Sequence, residues 1–395
     1  MTQKESIKLI IRKVLYNTAN SILSLIPKKR GLVLFTSWFG QKYLDNTKYV
    51  YEYFLEHLEY RPVWMTRNNF VYEELKREGK PVEYFNSLKG RLLLIRAQAV
   101  FSTVQFSDYN SWLLSRCLIV DLNHGHPIKD PGDVGNEDTY VRGVYKMLAN
   151  RNHFYSIVAG SKTKKEYNVV PIPQNHIIIS DFARNDVFID RSLQSGKNSE
   201  VESFKKGRTA IVYMPTHRSD GKVPMKINEI LDLEAIESYC EKNNTVFIIK
   251  KHFYHRNEKE NLEKYAHILD LTDVDDIDPQ VLLCQADLLI SDYSACYIDY
   301  MLLKRPIIFF QYDLEEYNNS ERKLYYDFRE LDIAPIVYEK SNLVECIDNL
   351  FKDGDKWLNH RMKFAQENYF DNINQKDGRA KVKTIFDQLY KQYYK

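Results

Sequence analysis

The stretch SRCLIVDLNHGHPIKDPG, residues 115–132, decides the fold. Its first half is apolar and β-branched, which predicts a buried strand, and the strand runs straight into an Asn-His-Gly-His turn. Imidazoles at a strand's end admit two functional readings, a metal pair or a proton-transfer site, beside a purely structural one as satisfied polar groups. Zinc needs three or four ligands. No cysteine pair lies close by and no HExxH occurs, so the residues favour proton transfer. A neutral imidazole is a suitable base for a hydroxyl near physiological pH, a role for at least one of His124 and His126. Gly125 between the two histidines lets the backbone approach a ligand closely.

Working outward, strands and helices alternate on both sides of this stretch. GLVLFTS, YRPVWMT, PVEYF and AVFSTV predict strands, and TKYVYEYFLEHL, NNFVYEELKREG and GRLLLIRAQ predict helices between them. HFYSIVAGS and HIIISDFARND extend the series. Residues 193–207, LQSGKNSEVESFKKG, carry no core pattern and predict a linker. RTAIVYMPTHR then begins a second alternating series that runs to RPIIFFQYD. Such order implies parallel sheets with helices on both faces. The expected architecture is α/β and GT-B-like: two doubly wound Rossmann-type domains facing a cleft, residues 31–195 and 208–370. An amphipathic helix precedes them within residues 1–30, and a closing helix follows within residues 371–395.

Bulk properties agree with a globular chain. It has 395 residues, 44% hydrophobic and 28% charged, enough for two cores. The net charge of +2 gives no reason to expect nucleic acid as a partner. Cys117, Cys240, Cys284, Cys296 and Cys346 are odd in number and lack CxxC spacing, which favours a reduced, cytoplasmic setting.

The N-terminal segment has its own logic. Ile7, Ile10, Ile11, Val14, Leu15, Ile22, Leu25 and Ile26 fall on one helical face. Lys4, Lys8, Arg12, Lys13, Lys28, Lys29 and Arg30 surround it. Arg12 and Lys13 interrupt the apolar run, which argues against a membrane span, and no small-residue cleavage site follows. The pattern predicts a helix lying on an anionic membrane surface; packing on its own domain is the alternative.

Four strand ends concentrate donors: NHGHPIK (123–129), MPTHR (214–218), KKHFYH (250–255) and SDYSA (291–295). Histidine, arginine, lysine and hydroxyl groups in this mixture suit a phosphate-bearing ligand. Neither GxxxxGK[ST] nor GxGxxG occurs. In SDYSACYIDYMLLKRPIIFF, Ser291 and Ser294 lie near a predicted helix start, where backbone N–H groups favour phosphate; helix capping by Ser291 or Asp292 is the plainer role. The acidic run DVDDIDP (273–279) predicts a solvated loop, and no metal or other cofactor is expected.

SDYSACYIDYMLLKRPIIFFQYDLEEY resembles the C-terminal signature of the CDP-glycerol glycerophosphotransferase family, the teichoic acid primases and polymerases and related capsule enzymes. Its matching residues are Ser291, Asp292, Tyr293, Ser294, Asp299, Tyr300, Arg305, Pro306, Asp313 and Tyr317, continued by Arg322 and Tyr326. NHGHPIK resembles HGTPLK, YMPTHR resembles YAPTWR, FGQKYLDNTK resembles a stretch of the form FGxxYxDNPK, and DGRA resembles a late DGxA. These motifs run in order from Trp38 to Ala380. Departures include His126 for threonine and DFARND where GYPRND is usual. KKHFYH lacks the usual proline after its first histidine, and Asp130 follows Lys129.

The resemblance implies transfer of glycerol phosphate from CDP-glycerol to a hydroxyl of a lipid-linked or polymeric acceptor, with release of CMP. CDP-ribitol or another CDP-alditol is an alternative donor. A sugar-transferring GT-B enzyme and an inactive membrane-bound scaffold are the rival functions. His124 is the expected general base. Gly125, His126 and Lys129 belong to the acceptor side. Thr216, Arg218, His252, Ser291, Asp292 and Ser294 belong to the donor phosphates. The expected location is the cytoplasmic face of the cell membrane, held peripherally by its anionic surface.

Overall fold

The computed structural model describes residues 3–128, 139–167, 170–194, 197–274, 277–321 and 324–394. Its strands form two sheets, parallel throughout. The first contains β1 (Leu32–Phe35), β2 (Arg61–Thr66), β3 (Val82–Tyr84), β4 (Ala99–Ser102), β5 (Leu118–Asp121), β6 (His153–Val158) and β7 (Ile177–Ile179). Their spatial order is β3-β2-β1-β4-β5-β6-β7. The second contains β8 (Thr209–Met214), β9 (Thr245–Ile249), β10 (Ile268–Asp270), β11 (Leu288–Ser291), β12 (Ile307–Phe310) and β13 (Ile336–Val337), ordered β10-β9-β8-β11-β12-β13. In each sheet the chain winds outward from its first strand, returns, and winds the other way. The reversal falls between β1 and β4 and between β8 and β11, and ligands of open α/β sheets bind beyond such points. The central strands read as unbroken apolar runs because helices cover both their faces.

Two compact units hold these sheets, and their boundaries differ from those the composition predicted. The first comprises Met1–His124, Pro131–Asp186 and Phe370–Lys395; the second comprises Gly125–Asp130 and Val187–Tyr369. The expected linker is therefore part of the second unit. It contains the helix Ser199–Lys205, and Lys205 pairs with Asp287 at 2.9 Å. Asn198 also exchanges two hydrogen bonds with the backbone of Asp278. Its polar residues make fold contacts that periodicity does not register.

The C-terminal helix Gly378–Tyr394 packs into the first unit. Phe386 meets Phe54, Tyr60 and Phe101 with ring centroids 5.1–5.3 Å apart. Tyr60 donates to Asp387 at 2.6 Å. The helix starts at a close approach: a Cβ on Gly378 would lie 2.8 Å from the Phe182 carbonyl oxygen.

The N-terminal helix Gln3–Leu23 does pack on its own unit, through its less apolar side. Tyr16 is fully buried with its ring edge on Trp112, and Asn20 donates to the Leu114 carbonyl at 2.8 Å. Ile7, Ile10, Ile11, Val14, Leu15, Ile22 and Leu25 point outward and are more than half exposed. No helix among the described residues is long and apolar enough to cross a membrane.

Candidate active site

In the first unit, the polar groups gather at the carboxyl ends of β1, β4 and β5. Four non-glycine residues there adopt the left-handed backbone: Trp38 and Phe39 after β1, Gln105 after β4 and Asn123 after β5. Each such residue costs about 1–3 kcal/mol unless its surroundings enforce it. Asp108 is one enforcer. Its buried carboxylate accepts the backbone N–H groups of Phe39 (2.6 Å), Thr103 (2.7 Å) and Val104 (2.8 Å), tying the β1 and β4 loops together. Burial raises its pKa, and these donors work against that rise.

Asp121, the last residue of β5, is fully buried as well. It accepts from the Gln105 amide and backbone, both at 3.2 Å, and from Ser102 and Ser156 at 3.4 Å. Burial still pushes its carboxyl up to about 8.

His124 lies exposed at the rim of this framework. Its Nδ1 is 3.3 Å from the Thr103 carbonyl oxygen, and its ring meets the Trp38 ring with centroids 5.3 Å apart. A carbonyl only accepts, so Nδ1 carries the proton and the neutral ring keeps its lone pair on Nε2. That is the tautomer of a base.

The backbone of His124 is fixed too. Its carbonyl accepts from Arg184 at 2.8 Å, and Arg184 also reaches Asp45 at 2.9 Å. Asp45 in turn accepts from the Trp38 indole at 3.1 Å. Asn46 donates to the Leu122 and Asn123 carbonyls, both at 3.1 Å. Thus FGQKYLDNTK, NHGHP and DFARND, remote in sequence, are one hydrogen-bonded cluster. Asp45, Asn46, Arg184 and Asp108 were given no role by the sequence reading. The first three at least lay inside quoted motifs, whereas a single aspartate in QFSDYN carried no signal.

The other acceptor-side expectations fare differently. Gly125 has φ +141°, a backbone state that glycine favours. His126 is buried in the second unit, 3.6 Å from Asp299, with its ring edge on Tyr369. Lys129, Arg322 and the centre of the 273–279 acidic run lie outside the described residues.

In the second unit the strand ends of β8, β9, β11 and β12 carry the donor-side residues. Arg218 is buried and bound on two sides. Its guanidinium donates to Asp292 at 2.9 Å and to Asp313 at 2.7 and 3.1 Å, and it lies over the rings of Tyr293 and Tyr317. Burial works against its charge, but the two carboxylates outweigh burial and raise its pKa. Asp292 also accepts the Thr216 backbone N–H at 2.8 Å. Arg218 and Asp292 thus form a frame that holds the β8, β11 and β12 loops in register.

Ser291 is fully buried and donates to the Met214 carbonyl at 3.3 Å. As the last residue of β11 it turns into the sheet. Ser294 is half-buried and accepts the Cys296 backbone N–H at 3.4 Å, at the start of the short helix Cys296–Met301. Thr216 presents a buried hydroxyl with no hydrogen bond among the described residues, and so does the Gln311 amide after β12, which the sequence reading passed over. Buried polar atoms of this kind signal a ligand or water.

His252, after β9, has a tautomer opposite to that of His124. Its Nδ1 accepts the Tyr254 backbone N–H at 3.4 Å, so the neutral ring carries its proton on Nε2 and offers a donor. His217, after β8, lies beside it: the centroids of His217, His252 and Tyr254 form a triangle with sides of 4.7, 4.8 and 5.0 Å. Among the described residues no group of three or more side chains is arranged to hold a metal ion.

Two parallel sheets of this order, each with its polar groups at the carboxyl edge, define a GT-B-like architecture. The profile of the CDP-Glycerol:Poly(glycerophosphate) glycerophosphotransferase family matches residues 18–387, and the chain belongs to that family. It is 26% identical to a teichoic acid glycerol-phosphate transferase of Staphylococcus aureus, over 92% of this chain and 95% of the relative. It is also 26% identical to a teichoic acid poly(glycerol phosphate) polymerase of Bacillus spizizenii, over 84% of this chain and 87% of the relative. The solved structure of the wall teichoic acid polymerase TagF shares the fold, with a TM-score of 0.75 at 22% identity, covering 99% of this chain and 97% of that one.

Proposed function

We infer that this chain transfers glycerol phosphate from CDP-glycerol to a hydroxyl of a teichoic-acid-type polymer. The family match over residues 18–387 carries the reaction class, and the base tautomer of His124 supports its role. The acceptor oxygen attacks the phosphorus that bears glycerol. The bond from that phosphorus to the oxygen of CMP breaks, and CMP leaves with the electron pair. His124 Nε2 takes the acceptor proton as the new P–O bond forms. On the donor side, His252 and the hydroxyls of Thr216 and Ser294 are the proposed partners of the phosphate oxygens. Donors already positioned before reaction account for most of the acceleration expected in phosphoryl-type transfer. The assay is CMP release from CDP-glycerol, CDP-ribitol and UDP-sugars with polymer and lipid-linked acceptors. Release from CDP-glycerol above the other donors is expected; activity on UDP-sugars alone would refute the assignment.

The protein is proposed to work on a lipid-linked acceptor at the cytoplasmic face of the membrane. The support is the N-terminal helix, which leaves six apolar side chains outward beside Lys8, Arg12 and Lys13, with Leu25 exposed just beyond it. Burying several of them in the acyl boundary contributes on the order of several kcal/mol, and each cation near an anionic surface adds about 1 kcal/mol. Ile10→Glu with Val14→Glu spares the Tyr16 and Asn20 contacts. It should release the protein from anionic vesicles in sedimentation and lower turnover of lipid-bound acceptor more than of soluble acceptor. A parent protein that stays in the supernatant at low salt would exclude membrane docking.

A further inference from the structure

The ring of His124 is oriented from two sides. Its Nδ1 meets the Thr103 carbonyl oxygen at 3.3 Å, and its ring packs edge-on against Trp38. Both contacts trace back to the buried carboxylate of Asp108, to which the ring itself makes no hydrogen bond among the described residues. Oδ2 of Asp108 accepts the Val104 N–H at 2.8 Å. That N–H and the Thr103 carbonyl belong to one trans peptide and point in opposite directions. The peptide is therefore held by the carboxylate on one side and presents its oxygen to His124 on the other. Hydrogen bonds in series polarise one another, so the charge of Asp108 strengthens this carbonyl as an acceptor.

The same carboxylate reaches the indole side. Oδ2 also accepts the Thr103 N–H at 2.7 Å and the Thr103 hydroxyl at 3.2 Å. That hydroxyl in turn accepts the Trp38 N–H at 3.2 Å, and Oδ1 accepts the Phe39 N–H at 2.6 Å. Trp38 and Phe39, at φ +48° and +61°, are thereby held in the left-handed turn that carries the indole. Four donors face the two oxygens and, among the described residues, no acceptor does, which is the setting of an ionised carboxylate.

We propose that Asp108 is a positioning residue for the transfer: through the Thr103–Val104 peptide it holds His124 in the Nδ1–H tautomer and favours the imidazolium that forms when the acceptor proton arrives. It takes the orienting part that a carboxylate plays toward histidine in a Ser-His-Asp triad, with one peptide inserted between the two. Asp108 lies in QFSDYN, outside the motifs that carry the family resemblance.

This inference rests on His124 as the base, and the experiment separates the two. Full-length parent, Asp108→Asn, His124→Ala and the double variant are compared by CMP release from CDP-glycerol with a teichoic-acid-type polymer as acceptor. Asp108→Asn should lower kcat about 10–100-fold, the loss expected for one charge-assisted hydrogen bond, with KM for CDP-glycerol little changed. In the His124→Ala background it should cost nothing further, because its effect passes through that ring. A purely structural role would lower both backgrounds alike. Nuclear magnetic resonance of the parent with isotope-labelled histidine supplies a second readout, His124 being the signal lost in His124→Ala. Its neutral ring should carry the proton on Nδ1, and Asp108→Asn should shift the population toward Nε2–H. A parent ring protonated on Nε2 would overturn the proposal even if Asp108→Asn failed to fold. So would parental kcat in Asp108→Asn, or equal losses in the two backgrounds. Near-parental turnover by His124→Ala would instead overturn the base assignment.

Discussion

The two sheets share one winding order but fasten their carboxyl-end loops differently. In the first unit a buried carboxylate, Asp108, accepts uncharged donors, three backbone N–H groups and the Thr103 hydroxyl. In the second, two carboxylates are bridged by the guanidinium of Arg218. In the first, the Nδ1 of His124 meets a carbonyl oxygen; in the second, the Nδ1 of His252 meets a backbone N–H. On the proposed reading one edge accepts a proton and the other donates toward negative charge. A single residue type thus takes two chemical roles according to which main-chain atom its Nδ1 meets.

Removing the base should break the comparison most severely. His124→Ala should lower transfer by about 10²–10⁴-fold, while CDP-glycerol binding stays at the parent value. Single-turnover CMP release and calorimetry on the same variant check both halves. Near-parental turnover would leave the two edges chemically alike.

The charged frame of the second unit offers the next largest effect. Arg218→Ala leaves Asp292 and Asp313 without their shared cation in a buried setting, which should cost about 3–5 kcal/mol. Adding Asp292→Asn should restore part of it. Chemical denaturation read in the second unit measures the loss. A change below about 1 kcal/mol would place the guanidinium among weakly coupled surface ions.

The smallest effect concerns Asp121. Its folded-state pKa of about 8 lies above the ordinary carboxyl value, so the folded chain holds a proton that the unfolded chain releases. Stability from this group is therefore fully present below about pH 4 and lost progressively as pH rises to about 8. Asp121→Asn should raise the melting temperature by about 2–4 °C at pH 8, with the gain shrinking toward pH 4. Scanning calorimetry across that range decides it; a gain that grows toward low pH would reverse the sign.

Much of this molecule was legible in the sequence because its central strands are short apolar runs punctuated by polar turns. LIVD before NHGH and TAIVYM before PTHR announced both strands and both site edges. What stayed hidden was partnership. Nothing in PTHR or SDYS says that the arginine of one is caged by the aspartate of the other, or that Ser291 turns inward while Thr216 keeps an unbonded hydroxyl. HGHP reads as a symmetrical pair, yet His124 and His126 fall into different compact units. The boundary near residue 187 was missed for a related reason. Asn198 and Lys205 look like linker residues until Asp278 and Asp287 are seen to receive them.

The helix Gly378–Tyr394 has a consequence for how the chain is made. It supplies Phe386 and Tyr390 to the first unit, but the ribosome reaches it only after the whole of the second. During synthesis Phe54 and Phe101 wait without their partner while residues 187–369 emerge. Domains usually fold in the order they appear. Here residues 187–369 of the second unit are synthesised before the helix that seals the first.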